Sequence, residues 1–123
     1  MKIQNNIKWV SPFIDSVKDI IPLHKVKRIT GYKVPMYKEE IAYASITRVS
    51  TRTYNINLRL TNNDTQKSVF LASFLDSLAH ELAHLVYWKH DHRHFALQVK
   101  VLSRFSKVLK KCKIKDTYSR IKI

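Results

Sequence analysis

Tyr54, Ile56, Leu58 and Leu60 alternate with Asn55, Asn57, Arg59 and Thr61, which is the period of a strand with one face buried and the other wet. Ahead of it, residues 25–29 predict a first strand and residues 41–47 a second, separated by turn chemistry at Gly31 and Pro35. Ser50, Thr51 and Arg52 are placed to turn the second segment back on the third as an antiparallel hairpin. The period then changes. From about residue 66 to 87, Leu71, Phe74, Leu75, Leu78, Leu82 and Leu85 recur every three or four positions and predict a long amphipathic helix, with the polar run 61–65 ending the sheet and capping it. A second long helix, from about residue 92 to 110, is expected to take Asp91 as its N-cap and to bury Phe95, Val99, Leu102 and Leu109. Near the start, Ser11-Pro12 opens a short helix that uses Phe13, Ile14, Val17, Ile20 and Ile21 and stops at Pro22. Strands followed by helices predict an α+β fold with a small, mostly antiparallel sheet packed on the first long helix.

At 123 residues, with one glycine and no repeat or low-complexity linker, the chain is expected to form one domain over 1–123, with a core at about 11–110 and a basic tail at about 111–123. No apolar run approaches the ~18 residues that span a bilayer, and the opening residues lack the apolar stretch of a secretory signal, so an intracellular protein with no membrane contact is expected. The single cysteine, Cys112, excludes an internal disulfide and a cysteine-based zinc set. A formal net charge of +14 points to phosphate polyanions, DNA or RNA, as partners. The face shared by Lys100, Arg104, Lys107 and Lys111 is the candidate nucleic-acid-binding surface, continued by Lys113, Lys115, Arg120 and Lys122.

The chemistry lies on the first long helix, where His80-Glu81-Leu82-Ala83-His84 reads H-E-x-x-H. Two histidines four apart are about 40° apart around a helix and roughly 6 Å apart along it, so both imidazoles can reach one zinc ion. Zinc lowers the pKa of a bound water toward ~7, and an adjacent carboxylate can take its remaining proton, which makes Glu81 the candidate general base of a metallopeptidase acting on a protein or peptide. A third ligand is needed. No glutamate follows Glu81, which leaves His90, Asp91, His92, His94 and Asp116. A helix continued to residue 90 would turn His90 about 240° away from His84, so the helix must stop and a turn must carry His90 back. His90 is the first choice and His94 the reserve. Asp76, one helical turn before His80, could accept its second N–H, whereas His24 and His92 are expected at the surface. Tyr43, Tyr54 and Tyr87 are given no role.

His80-Glu81-Leu82-Ala83-His84-Leu85, His90-Asp91 and Phe95-Ala96-Leu97 resemble the core of the SprT-like and WLM group of small zincin metallopeptidases, over roughly residues 54–105. The resemblance implies a minimal zincin-like domain with His80, His84 and His90 as ligands of one zinc ion, Glu81 as general base, and action on DNA-associated proteins. Two other functions compete with it. The spacing of the three histidines also resembles that of the YbeY-like metal-dependent endoribonucleases, and a non-catalytic nucleic-acid-binding protein would close a structural zinc with His94 or Asp91 as a fourth ligand.

Overall fold

The computed structural model describes residues 3–33, 44–62 and 67–121. Four strands and three α-helices follow in the order β1 (Gln4–Asn5), α1 (Ser11–Asp15), β2 (Val26–Tyr32), β3 (Ala44–Arg48), β4 (Tyr54–Arg59), α2 (Leu71–His84) and α3 (His92–Lys111). This is the α+β class expected from the order of elements. The sheet is mixed rather than mostly antiparallel: in the order β1-β2-β4-β3, β1 and β4 both run parallel to β2, and only β3 pairs antiparallel, with β4. The predicted hairpin forms, closed by Val49 N–H and Ser50 N–H donating to the Thr53 carbonyl. It enters the sheet through β4, which lies between β2 and β3. The crossover that the parallel neighbours β2 and β4 need includes β3. Of the segment predicted as 41–47, residues 41–43 lie outside the described residues, as does Pro35.

Gly31 does not end the first strand but sits inside β2 opposite Leu58. A Cβ there would meet Ile7 Cδ1 at 2.6 Å and Leu60 Cδ1 at 2.9 Å, so the absent side chain lets the N-terminal segment pack down on the sheet. Asn6 fastens the same point, its amide donating to the Gly31 carbonyl at 3.0 Å and its oxygen accepting from Gly31 N–H at 2.7 Å. Gly31→Ala should lower the free energy of unfolding by about 1–3 kcal/mol, the usual cost of overpacking, as a drop in the urea midpoint would show.

The first helix is shorter than its apolar spacing suggests. It stops at Ser16, whose hydroxyl donates to the Phe13 carbonyl at 2.6 Å, and local turns carry Val17 and Ile21 into the core. Phe13 meets Phe105 of α3 edge-on at 5.5 Å, and Trp9 lies 5.0 Å from Phe74 of α2, so aromatic contacts join α1 to α3 and the turn before α1 to α2.

Helix α2 lies between the sheet and α3. Leu71, Phe74, Leu75, Leu78, Ala79, Leu82 and Ala83 are buried along it, more than one helical face, because it has a neighbour on each side. It starts at Leu71 rather than near residue 66, because Ser68 and Phe70 are held extended by bridges to Thr61 and Arg120. Its cap is not the polar run after β4, of which residues 63–66 lie outside the described residues. Instead, Leu71 N–H donates to the Ser119 carbonyl at 2.9 Å and Ala72 N–H to the Thr117 carbonyl at 2.8 Å, supplying acceptors that the first turn lacks. Over its described residues, then, the stretch expected as a basic tail folds back onto α2 and buries Ile121.

On α3 the buried residues are His94, Val101, Phe105 and Val108. Phe95 and Val99, expected in the core, are exposed, and Leu102 and Leu109 are partly buried. The helix carries two apolar stripes about 100° apart, and the one that includes His94 faces α2. Among the described residues no helix is long and apolar enough to cross a membrane.

Candidate metal centre

The helical repeat of α2 places His80 and His84 on one face and Glu81 beside it. The helix then ends, with Val86 N–H and Tyr87 N–H both turning back to the Ala83 carbonyl, and a tight turn marked by Asp91 N–H to the Lys89 carbonyl leads into α3. Asp91 is the expected N-cap, accepting from Arg93 N–H at 3.0 Å and His94 N–H at 3.2 Å. This reversal brings His90 back over the motif. The Nε2 atoms of His80, His84 and His90 form a triangle with sides of 3.1 Å (His80 to His84), 3.0 Å (His84 to His90) and 3.0 Å (His80 to His90).

The 3.1 Å between His80 and His84 does not describe a hydrogen bond between their rings. His80 Nδ1 lies 3.0 Å from Gln98 Oε1, and His84 Nδ1 lies 3.1 Å from the Tyr87 carbonyl. The Tyr87 carbonyl can only accept, which puts the His84 proton on Nδ1, and Gln98 presenting its oxygen puts the His80 proton on Nδ1 likewise, so both Nε2 lone pairs turn inward. Converging lone pairs repel one another unless a cation lies among them. Zinc bound tetrahedrally at 2.0–2.1 Å needs ligand atoms about 3.3 Å apart, within a few tenths of an ångström of the triangle, so the residues fit a metal ion.

By distance alone His94 is also a candidate, since one ligand nitrogen each from His80, His84 and His94 lie within 4.8 Å of one another. The His90 triangle is tighter, and His94 has only Nδ1 to offer. Its Nε2 lies 3.0 Å from the His80 main-chain carbonyl, to which it must donate, and its ring stacks on that of His84 with centroids 4.1 Å apart.

Glu81 is buried and lines a cleft of about 350 Å3 together with Ala44 of the edge strand, Asp76, Ser77, His80 and Gln98. Burial pushes its carboxyl up to about 7, where a carboxylate can both take and return a proton near neutral pH. Burial, followed by the neighbouring imidazoles, holds His80 and His84 below the ordinary histidine range in spite of their hydrogen bonds. Protons therefore compete less for the inward lone pairs. Asp76 is exposed at the cleft, raised by partial desolvation, and the acceptor for His80 is Gln98 rather than Asp76.

His24 and His92 are exposed, as expected, and Tyr43 lies outside the described residues. Sequence reasoning passed over Gln98, which no motif marks, and Trp88, an exposed ring 5.9 Å from His84 and 5.8 Å from Tyr54. On the proposed basic face, Lys100, Lys107 and Lys111 are exposed. Arg104 is not free: its guanidinium holds Asp19 through bonds of 2.8 and 3.0 Å and the Ser16 carbonyl at 3.0 Å, which ties α3 to the turn after α1. The guanidinium in turn holds the Asp19 carboxyl below the usual carboxylate range.

Comparison with protein-family models gives no match, and comparison with curated proteins gives none either. Among solved structures, the crystal structure of Wss1 from Saccharomyces cerevisiae is similar with a TM-score of 0.56 and 16% identity, over 91% of this chain and 94% of that one. The crystal structure of a Wss1 mutant from the same yeast is similar with a TM-score of 0.55 and 16% identity, over 92% of this chain and 96% of that one. At this identity the likeness shows the fold. It fits the WLM side of the resemblance read from the sequence and does not extend to SprT specifically.

Proposed function

We propose that this chain is a zinc-dependent metalloendopeptidase in which His80, His84 and His90 hold one zinc ion and Glu81 is the general base. The observation that carries this reading is the Nε2 triangle, with two of its three rings fixed in the ligating tautomer by bonds on the opposite nitrogen. A bound zinc ion would supply Lewis acidity to a scissile carbonyl and to a water beside it. Glu81, buried against the cleft, takes the proton of the attacking water and returns it to the leaving amine. The edge strand β3, which among the described residues pairs only with β4, would take an extended polypeptide on its other side, the main chain lying along the cleft beside Ala44.

The charge of +14 supports protein substrates associated with DNA or RNA. A nucleic-acid contact through α3 would use Lys100, Lys107 and Lys111, while Arg104 anchors the helix. A structural zinc with His94 as fourth ligand would have to use His94 Nδ1, because its Nε2 donates to the His80 carbonyl.

The test is proteolysis of an unstructured basic protein by the zinc-loaded chain, with and without single-stranded DNA. Cleavage that stops on chelation and returns with zinc is expected. One equivalent of bound zinc without cleavage overturns the peptidase reading, and metal-dependent cleavage of RNA in its place favours the ribonuclease.

A further inference from the structure

We infer that Gln98 is a positioning residue of the metal centre: its side-chain oxygen selects the tautomer of His80 and thereby sets how tightly the chain holds its metal. The inference rests on the metal-binding reading above and extends it to a residue on another helix.

His94 and Gln98 stand one turn apart on the face of α3 that meets α2, and both reach the same residue. His94 Nε2–H donates to the His80 main-chain carbonyl at 3.0 Å, and Gln98 Oε1 accepts from His80 Nδ1–H at 3.0 Å. One contact fixes the backbone of His80 and the other its ring. The amide orientation follows from the metal-binding reading. A flipped Gln98 would donate to Nδ1 and force the proton onto Nε2, which lies 3.1 Å from His84 Nε2 and 3.0 Å from His90 Nε2. No ion could then be bound through His80. At His84 the equivalent acceptor is the main-chain carbonyl of Tyr87, which any residue could supply. At His80 the acceptor is a side chain, so its contribution is encoded by the sequence and open to substitution. Partners of this kind typically change metal affinity by ~10–100-fold.

The experiment measures zinc affinity of the full chain by competition with a chromophoric chelator, for the wild type, Gln98→Met and Gln98→Glu, beside thermal unfolding of each metal-free form. Methionine keeps the length of the side chain without an effective acceptor, and glutamate keeps the acceptor and adds charge, which strengthens such a bond. Expected is a 10–100-fold weaker affinity in Gln98→Met with an unchanged metal-free melting temperature, and an affinity in Gln98→Glu equal to or above that of the wild type. Wild-type affinity in Gln98→Met, or equal losses in both variants, overturns the role of Gln98 and leaves the metal-binding reading standing. A wild type that binds no zinc overturns both. Nitrogen NMR of the metal-free wild type, which needs no variant, should place the His80 proton on Nδ1, and a proton on Nε2 would refute the inference.

Discussion

Glu81→Gln should abolish peptide hydrolysis, by about 10²–10⁴-fold or more, while zinc affinity stays close to that of the wild type. The amide keeps the size of the side chain but cannot accept the proton of the attacking water. The same substitution should stabilise the metal-free protein, and the sign follows from burial. The Glu81 carboxyl is raised from its ordinary 4.5 to about 7 in the folded chain, so the folded state holds a proton that the unfolded state releases between those values. The cost of burying the charge is absent below pH 4.5, grows as pH rises and is complete above about 7. It amounts to at most about 3 kcal/mol, reduced by solvent screening at the cleft mouth. Urea unfolding of metal-free protein should therefore show Glu81→Gln more stable than wild type at pH 8 and equal to it near pH 4. Zinc should narrow the gap, because a cation beside the carboxylate favours its charged form. An active Glu81→Gln variant would remove Glu81 from the mechanism, and equal stabilities at pH 8 would refute the burial argument.

His90→Ala should weaken zinc binding by more than the ~100-fold that an outer partner contributes, with little effect on metal-free stability, because the His90 side chain is exposed. His94→Gln should do the reverse. Its ring is buried and stacked on His84, so the metal-free chain should lose stability while most of the zinc affinity is kept. The pair decides the third ligand, since a larger affinity loss in His94→Gln than in His90→Ala would make His94 the ligand. Isothermal titration with zinc and thermal unfolding of the metal-free variants provide the two readouts.

What could be read from the sequence was what depends on neighbours along the chain. The strand β4, the leucine spacing of α2 and the aspartate that caps α3 are all found, but Arg59 and Thr61, expected on the wet face, are buried. So is the reversal that returns His90 to His80 and His84, because a helix running on would have carried it to the opposite side. What could not be read depends on contacts between distant segments. Gln98 meets His80 from another helix, and Arg104 meets an aspartate 85 residues away. Neither pairing leaves a local pattern. The cap of α2 comes from main-chain carbonyls of residues 117 and 119, which no residue type identifies. On α3 the choice of Phe95 and Val99 as core was a choice between two apolar stripes. The stripe that is buried includes a histidine, which hydrophobicity alone discounts. In the sheet, β3 and β4 pair antiparallel because a hairpin joins them, whereas β2 and β4, which no hairpin joins, run parallel.

The pairing of residues 117–121 with the start of α2 also bears on the order in which the chain matures. During synthesis Leu71 precedes Ile121 by 50 positions, about 3–10 s at translation rates of ~5–20 residues per second. For that interval the helix that carries the motif has neither the acceptors for its first turn nor the isoleucine that covers it. The candidate metal centre is thus built on a helix completed late, and a ribosome-bound chain that already displays His80, His84 and His90 still lacks residues 117–121 against the start of that helix.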